Sequence, residues 1–350
     1  MPLSNGRLAD LLYGAAAHHQ DQRQRALRRA ARYALVWEEE AAAILGEGRS
    51  LTELDGVGPW VARMVEELIE NPPEDEDENP LRTGFITYSQ ATAVLEGEPS
   101  WKDEIRADLQ MHSTYSDGTL PIIGMAAAAA EIGYEYIAIT DHSKGLKIAG
   151  GFDEATLALQ GKEIDAVNAE LTELDSGLTV LRSIELNFDT KGDGDMDPGA
   201  LSELDVVVGS FHSRLRVAED QTPRCMGAVR NPDVQIMGHP TGRMFGVRHG
   251  VQADWERVFA EGARLGKAFE INAQPNRQDL SVPMLRLAEA SGVWFSIGTD
   301  AHSAGELGNV ELSLAAAVLA GIPKERIVNY LPLEAFLEWV SLSRATSRAG

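Results

Sequence analysis

Eight histidines occur in the 350-residue sequence, and five of them share one kind of position. His112, His142, His212, His239 and His302 stand at or just past the ends of short runs of β-forming residues: IRADLQM, YIAITDH, LDVVVGSFH, VQIMGHP and WFSIGTDAH. Acids follow the same pattern: Asp117 after the first run, Asp141 in TDH, Glu185 in TVLRSIELNF, Glu270 in AFEINA and Asp300 in TDAH. Mixed sets of imidazole and carboxylate bind zinc, manganese or iron, and a bridging carboxylate holds two ions close enough to share one activated water. One histidine at a strand end is ordinarily just a satisfied polar residue; five at equivalent places predict a multinuclear metal site. Gln110 is the puzzle, because in DLQMHSTYSDG it sits two residues before His112, where a second imidazole would be the obvious ligand. Its amide oxygen is a neutral donor, poorer than imidazole for zinc, that suits manganese or magnesium or a hydrogen bond beside a metal, and both placements stay open.

For these imidazoles to meet, their strands must end at one mouth. Seven β-rich runs alternate with helix-like stretches such as IIGMAAAAAEIG, WERVFAEGARLG and PMLRLAEASG. Parallel strands need crossovers of a dozen or more residues, so the alternation predicts an α/β fold. Seven units favour a barrel over an open sheet, and a barrel gathers its loops at the C-terminal strand edge. This unit is assigned to residues 104–345. The stretch ENPPEDEDENP, residues 70–80, joins Pro-Pro to five consecutive acids and reads as a linker, with 71–103 as linker and bridging segment. Residues 1–70 contain RLADLLYGAAA, QRQRALRRAARYALVWEEEAAAIL and LTELDGVGPWVARMVEELIE, whose apolar residues recur at three- and four-residue spacing, so a small all-α domain is predicted.

Composition narrows the function classes. The net charge of -23 disfavours a broad electrostatic grip on nucleic acid. The exception is local: residues 1–36 hold six arginines (7, 23, 25, 28, 29, 32) against two acids (10, 21), a balance of +4. The single cysteine, Cys225, permits no internal disulfide and fits a reducing, cytoplasmic setting. No signal-peptide pattern or membrane span is read, and no obligate protein partner is evident. Asp193, Asp195 and Asp197 alternate as in a calcium loop, but Pro198 replaces the turn glycine, leaving an acidic surface loop. His18, His19 and His249 are off the pattern and read as solvated.

The motifs DLQMHSTYSDG, ITDHS, RSIELN, VVVGSFHS, IMGHPTGR and IGTDAHS resemble, in order, those of the PHP (polymerase and histidinol phosphatase) superfamily. The likeness covers residues 104 to about 340 and is nearest in pattern to the PHP domains of bacterial family X DNA polymerases. It implies a distorted seven-stranded (β/α)7 TIM-like barrel. It also implies three divalent ions, zinc, manganese or iron. The first would be held by position 110, His112, Glu185 and Asp300. Glu185 would bridge to a second held by His212 and His239, and Asp117, His142 and His302 would hold the third. Gln110 alone departs from the family's His-x-His pattern.

Such a cluster suits phosphoester hydrolysis by activated water, with Glu185 and Asp300 as its central carboxylates. Arginines beside it would bind phosphate in bidentate fashion: Arg243 in HPTGRMFG, then Arg248, with Lys144 after TDHS also able to face the mouth; the alternative is surface side chains. LTELDGVGPWVARMVEEL resembles a helix-hairpin-helix, with Gly56 and Gly58 in its turn and Arg28 and Arg29 on the preceding helix as DNA contacts. Together these stretches resemble the N-terminal lyase-type domain of family X polymerases; the alternative is a structural helical cap. Residues 1–101 contain no lysine for Schiff-base chemistry, and 71–103 is too short for fingers, palm and thumb. The expected activity is a metal-dependent phosphoesterase on DNA, of 3'-5' exonuclease, 3'-phosphatase or abasic-site type. Its rivals are a small-metabolite phosphatase of histidinol-phosphatase type and a catalytically weak metal-binding scaffold associated with DNA.

Overall fold

The computed structural model describes residues 2–73 and 79–349, so the five consecutive acids of the expected linker lie outside the described residues. Four helices come first: α1 (Asn5–Ala15), α2 (Asp21–Tyr33), α3 (Ala41–Gly46) and α4 (Pro59–Glu70). Ser4 caps α1 by accepting from the Arg7 N–H at 3.3 Å, and Pro59 opens α4 at a position where no N–H is needed. Leu8, Leu12, Leu27, Val61 and Val65 supply the apolar faces that meet in a core of their own. The long arginine- and alanine-rich run is two helices rather than one. Between them the Trp37 indole turns inward and donates to Asp55 O at 3.0 Å, and Asn5 Oδ1 takes the first N–H of α3 at 2.9 Å.

After α5 (Tyr88–Glu96) and α6 (Ser100–Asp103) the strand-helix alternation begins. Its order is β1 (Ala107–Met111), α7 (Ile122–Ile132), β2 (Tyr136–Ile139), α8 (Glu154–Glu173), β3 (Thr179–Arg182), β4 (Glu185–Asn187), α9 (Pro198–Ser202), β5 (Val208–Ser210) and α10 (Thr222–Arg230). It continues through β6 (Ile236–Gly238), α11 (Trp255–Arg264), β7 (Ala268–Asn272), α12 (Val282–Ala290), β8 (Trp294–Gly298), α13 (Val310–Ala320) and α14 (Leu333–Ala349). Among the described residues these strands pair in parallel, in the orders β1-β2-β3 and β4-β5-β6-β7-β8.

The third β-rich run is therefore two strands, not one, broken at Ser183 and Ile184. Both halves lie beside the β2 chain: β3 pairs with β2 itself, and Glu185 bridges His142 just beyond it. On the opposite edge, Met111 bridges Ala301, and the Asp300 N–H donates to Gln110 O at 2.9 Å. The β1–β2 register shifts between Asp108 and Met111. There the buried Asp108 carboxylate accepts from Thr299 Oγ1 at 2.5 Å and from the N–H groups of Gln110 and Thr299, tying β1 to the chain leaving β8. These links fix the heights at which Gln110, His112, Asp300 and His302 emerge.

Below the strands, α14 brings Phe336, Trp339 and Val340 against Ala107, Tyr136, Ile236 and Ala268. The bridging segment is partly core: Ile86, Leu95 and Trp101 pack in the same cluster as Leu314 and Ala317 of α13. Phe245, from the loop after β6, inserts instead into the core of the four N-terminal helices. Gly246 N–H donates to Leu81 O at 2.8 Å, and Arg82 reaches Asp10 at 2.5 Å. At Gly246 (φ +66) any Cβ would collide with the Tyr13 ring, so the contact requires glycine.

Candidate metal centre

At the carboxyl ends of the strands the fully buried Glu185 carboxylate is ringed by imidazoles. His239 Nε2 approaches Glu185 Oε1 at 2.8 Å and His212 Nε2 the same oxygen at 3.1 Å. His142 Nδ1 lies 2.9 Å and His112 Nε2 3.7 Å from Oε2. On the other side of His112, its Nε2 is 3.1 Å from Asp300 Oδ1. Asp117, at the rim, faces His302 Nε2 at 3.3 Å and His142 Nε2 at 3.5 Å. Two groups have donor atoms within 4.8 Å of one another: His112, Asp117, His142 and His302, and His142, Glu185 and His212.

Two of the remaining ring nitrogens are tied down. His302 Nδ1 donates to Asp300 O at 2.8 Å and His212 Nδ1 to Asn187 Oδ1 at 3.2 Å, leaving each Nε2 lone pair aimed inward. Both oxygens of Glu185, His142 Nδ1, His212 Nε2 and both nitrogens of His239 are buried with no partner in hydrogen-bonding geometry. Buried polar atoms are almost always satisfied. An orphaned set of deprotonatable nitrogens and carboxylate oxygens is what divalent cations would satisfy, so the residues fit a metal cluster. His239 (φ +23) and Asp300 (φ +55) also hold left-handed backbone conformations, which non-glycine residues adopt at a cost.

Charge is distributed to match. Burial alone would raise the Glu185 carboxyl, but the imidazoles of His142, His212 and His239 reverse this and hold it well below the carboxylate range. For Asp300, burial is likewise overcome, by Arg277 and His112. Burial depresses His302, yet Asp117 and Asp300 outweigh it and push the imidazole up to about 9.

Gln110 is fully buried, and with its nitrogen turned toward Glu270 its amide donates to that carboxylate, at 3.0 Å to Oε2. Glu270 also accepts from His239 N–H at 2.5 Å and from Asn272 Nδ2 at 3.1 Å, while burial and Asp300 raise its carboxyl well above normal. Asn272 Nδ2 further donates to Asp300 Oδ2 at 3.2 Å. Arg277, a residue the sequence reading did not single out, places Nε 3.4 Å from Asp300 Oδ2. Only AFEINAQPNR, an arginine closely following a strand-end acid, could have signalled it.

Other expected residues stand apart from this cluster. Asp141 is structural: it takes Ser113 N–H at 2.8 Å, Ser113 Oγ and Ser116 Oγ at 2.5 Å and Gln160 Nε2 at 2.7 Å. Lys144 is paired to Glu154 at 2.6 Å on the surface. Arg243 stacks 3.8 Å over the Phe85 ring and donates to Gly84 O at 3.0 Å, and Arg248 donates to Gly242 O at 2.7 Å. Asp195 of the acidic loop braces the chain after His142, accepting from Ser143 Oγ and Gly145 N–H at 2.6 Å. In the helical unit Gly56 has φ +77 against the Tyr33 ring, Gly58 caps α4, Arg28 lies over Tyr13 at 5.6 Å, and Arg29 shares a surface depression with Arg25 and Arg32. His18 is exposed, whereas His19 sets its ring edge-on to Trp60 at 5.5 Å.

Residues 108–225, which carry Gln110, His112, Asp117, His142, Glu185 and His212, match the PHP domain family, and the chain thus contains a PHP domain. Among relatives, it is 37% identical over 256 residues to the DNA polymerase/3'-5' exonuclease PolX of Bacillus subtilis (strain 168), covering 72% of this chain and 43% of that protein. The chain therefore spans under half the length of that relative. It is 29% identical over 176 residues to a protein of Caldicellulosiruptor bescii named "Probable phosphatase", covering 48% of this chain and 70% of that one. A solved histidinol phosphate phosphatase from Lactococcus lactis, complexed with zinc, L-histidinol and phosphate, aligns at a TM-score of 0.44 and 16% identity over 63% of this chain and 95% of its own. Among the described residues no helix is long and apolar enough to cross a membrane.

Proposed function

We propose that the chain is a metal-dependent phosphoesterase acting on phosphate esters in DNA, as a 3'-5' exonuclease, 3'-phosphatase or abasic-site enzyme. The observation that carries this reading is the set of orphaned nitrogen and oxygen atoms converging on Glu185. His112, Asp117, His142, Glu185, His212, His239, Asp300 and His302 would hold three divalent ions, with Gln110 beside the first. Such ions neutralise phosphoryl oxygens, activate water and stabilise the leaving oxygen. The chain's own part is positioning. Asn187 and the Asp300 carbonyl fix the tautomers of His212 and His302, Arg277 and Asn272 hold Asp300, and the buried floor excludes bulk water. In this reading the two sheets form one distorted seven-stave barrel, supported by the Met111–Ala301 and His142–Glu185 bridges. The turn at Gly56 and Gly58 is a helix-hairpin-helix that guides DNA with Arg28 and Arg29. The PolX relative supports a DNA substrate.

A small monoester is the second reading, favoured by relatives bearing the name "Probable phosphatase". Metal-loaded protein tested on a 3'-labelled oligonucleotide, histidinol phosphate and an aryl phosphate separates the readings. Shortening or dephosphorylation of the oligonucleotide is expected; turnover of histidinol phosphate alone selects the second reading, and no turnover of any substrate removes both.

A further inference from the structure

Where the loop 241–252 that follows His239 meets the connector 80–85, two cavities of about 220 and 430 Å³ adjoin, sharing Arg248 and His249. Arg243 and Trp255 line the first, Arg216 and Val217 the second, and no acid lines either among the described residues. In a chain of net charge -23, a groove without a lining carboxylate is a marked local reversal. The neighbouring Asp279 is buried and engaged by Thr241 Oγ1 at 2.8 Å and the N–H groups of Thr241 and Gly242. Arg243 and Arg248 are held by backbone carbonyls, so guanidinium N–H groups remain for an anion. Arg216 is exposed and has no ion pair among the described residues. The lining is tied to the centre through the chain: Thr241 follows His239 by two residues, and Phe245 N–H donates to Asn276 O at 2.8 Å, next in sequence to Arg277, whose Nε lies 3.4 Å from Asp300 Oδ2.

We propose that this groove carries the sugar-phosphate chain of a nucleic-acid strand entering the metal centre, with Arg216 and Arg248 on phosphates beyond the scissile one and Trp255 offering its ring to a base. The inference rests on the phosphoesterase reading and adds to it the path of the strand and the residues that hold it. Cations interleaved with an aromatic ring suit single-stranded nucleic acid, whose bases stack while its phosphates track the arginines. An acidic peptide would use the cations but not the ring.

The test is binding of a fluorescein-labelled single-stranded oligonucleotide to the intact chelator-treated protein, by anisotropy across a salt series. The Arg216→Ala/Arg248→Ala variant is expected to bind about tenfold or more weakly and to flatten the log–log salt slope by about 1.4, at about 0.7 per lost phosphate contact. Arg216→Glu, at an exposed position, should weaken binding alone and guards against misfolding of the Arg248 loop. Unchanged affinity and slope in both variants overturn the proposal. So does polyglutamate of matched charge binding as tightly as the oligonucleotide with the same losses. Because no turnover is needed, the two readings fail separately: inert protein with intact strand binding sinks the phosphoesterase, and active protein with normal binding in the variants sinks the groove.

Discussion

The two ends of the strands bury polar side chains to opposite effect. At the end closed by α14, Asn329 is fully buried and saturated: it accepts from Ile297 N–H at 2.7 Å and donates to Ala107 O at 2.9 Å and Ile297 O at 2.8 Å. Lys267, equally buried, donates to Asn231 O at 3.0 Å and to Val234 O. At the opposite end Glu185 and His239 are just as enclosed and His212 nearly so, yet their inward atoms have no partner in hydrogen-bonding geometry. Burial of a polar group costs free energy unless a partner compensates it. One end therefore uses its polar atoms to hold strands together, and the other keeps them for something that is not protein.

That contrast can be broken by mutation. Glu185→Gln should reduce turnover more than about 100-fold, beyond the loss typical of a residue that only supports a ligand, and should lower bound metal; unchanged metal content and rate would show that the orphaned atoms are incidental. Asn329→Ala should leave turnover intact while costing about 3 kcal/mol in urea unfolding, since three backbone groups lose their partner in the interior. A smaller effect is expected at Lys267, whose ammonium burial pushes down from 10.5 to about 7. Between those values the unfolded chain binds the extra proton, so stability should rise with pH from about 7 toward 10 and stay low below 7. Lys267→Met should flatten that rise in denaturation midpoints taken across the window; an identical pH profile would mean Lys267 stays charged when folded. The smallest change is Gln110→His, expected to raise metal affinity by about tenfold or less. If titration finds neither affinity nor metal content altered, Gln110 serves Glu270 alone.

Much of the metal end was legible because a strand-ending histidine is a local pattern, and five repeats of it needed no knowledge of the pairing. Glu185 could be placed with them, but the break at Ser183 and Ile184 could not, since TVLRSIELNF is uniformly β-forming and the division arises from its neighbours on β2. The Gln110–Glu270 pair joins β1 to β7, so no window of sequence contains it. Arg243 was read as a phosphate ligand from its distance to His239 along the chain; its stack on Phe85 depends on how the connector lies against the loop after β6. The same cause hid α5, whose residues look like a linker continuation until they meet α13.

Phe245 gives the molecule a mechanical property. Because the loop that follows His239 drives this ring into the core of the N-terminal helices, against Tyr13 at 5.5 Å and Phe85 at 5.2 Å, those helices clamp the metal end from outside. A β/α unit cut free of them would present a bare aromatic knob to water and a slack loop carrying Arg243 and Arg248. The helical unit is thus a splint for the loop that follows His239, and amputating it should loosen that end of the strands although none of the converging imidazoles and carboxylates comes from it.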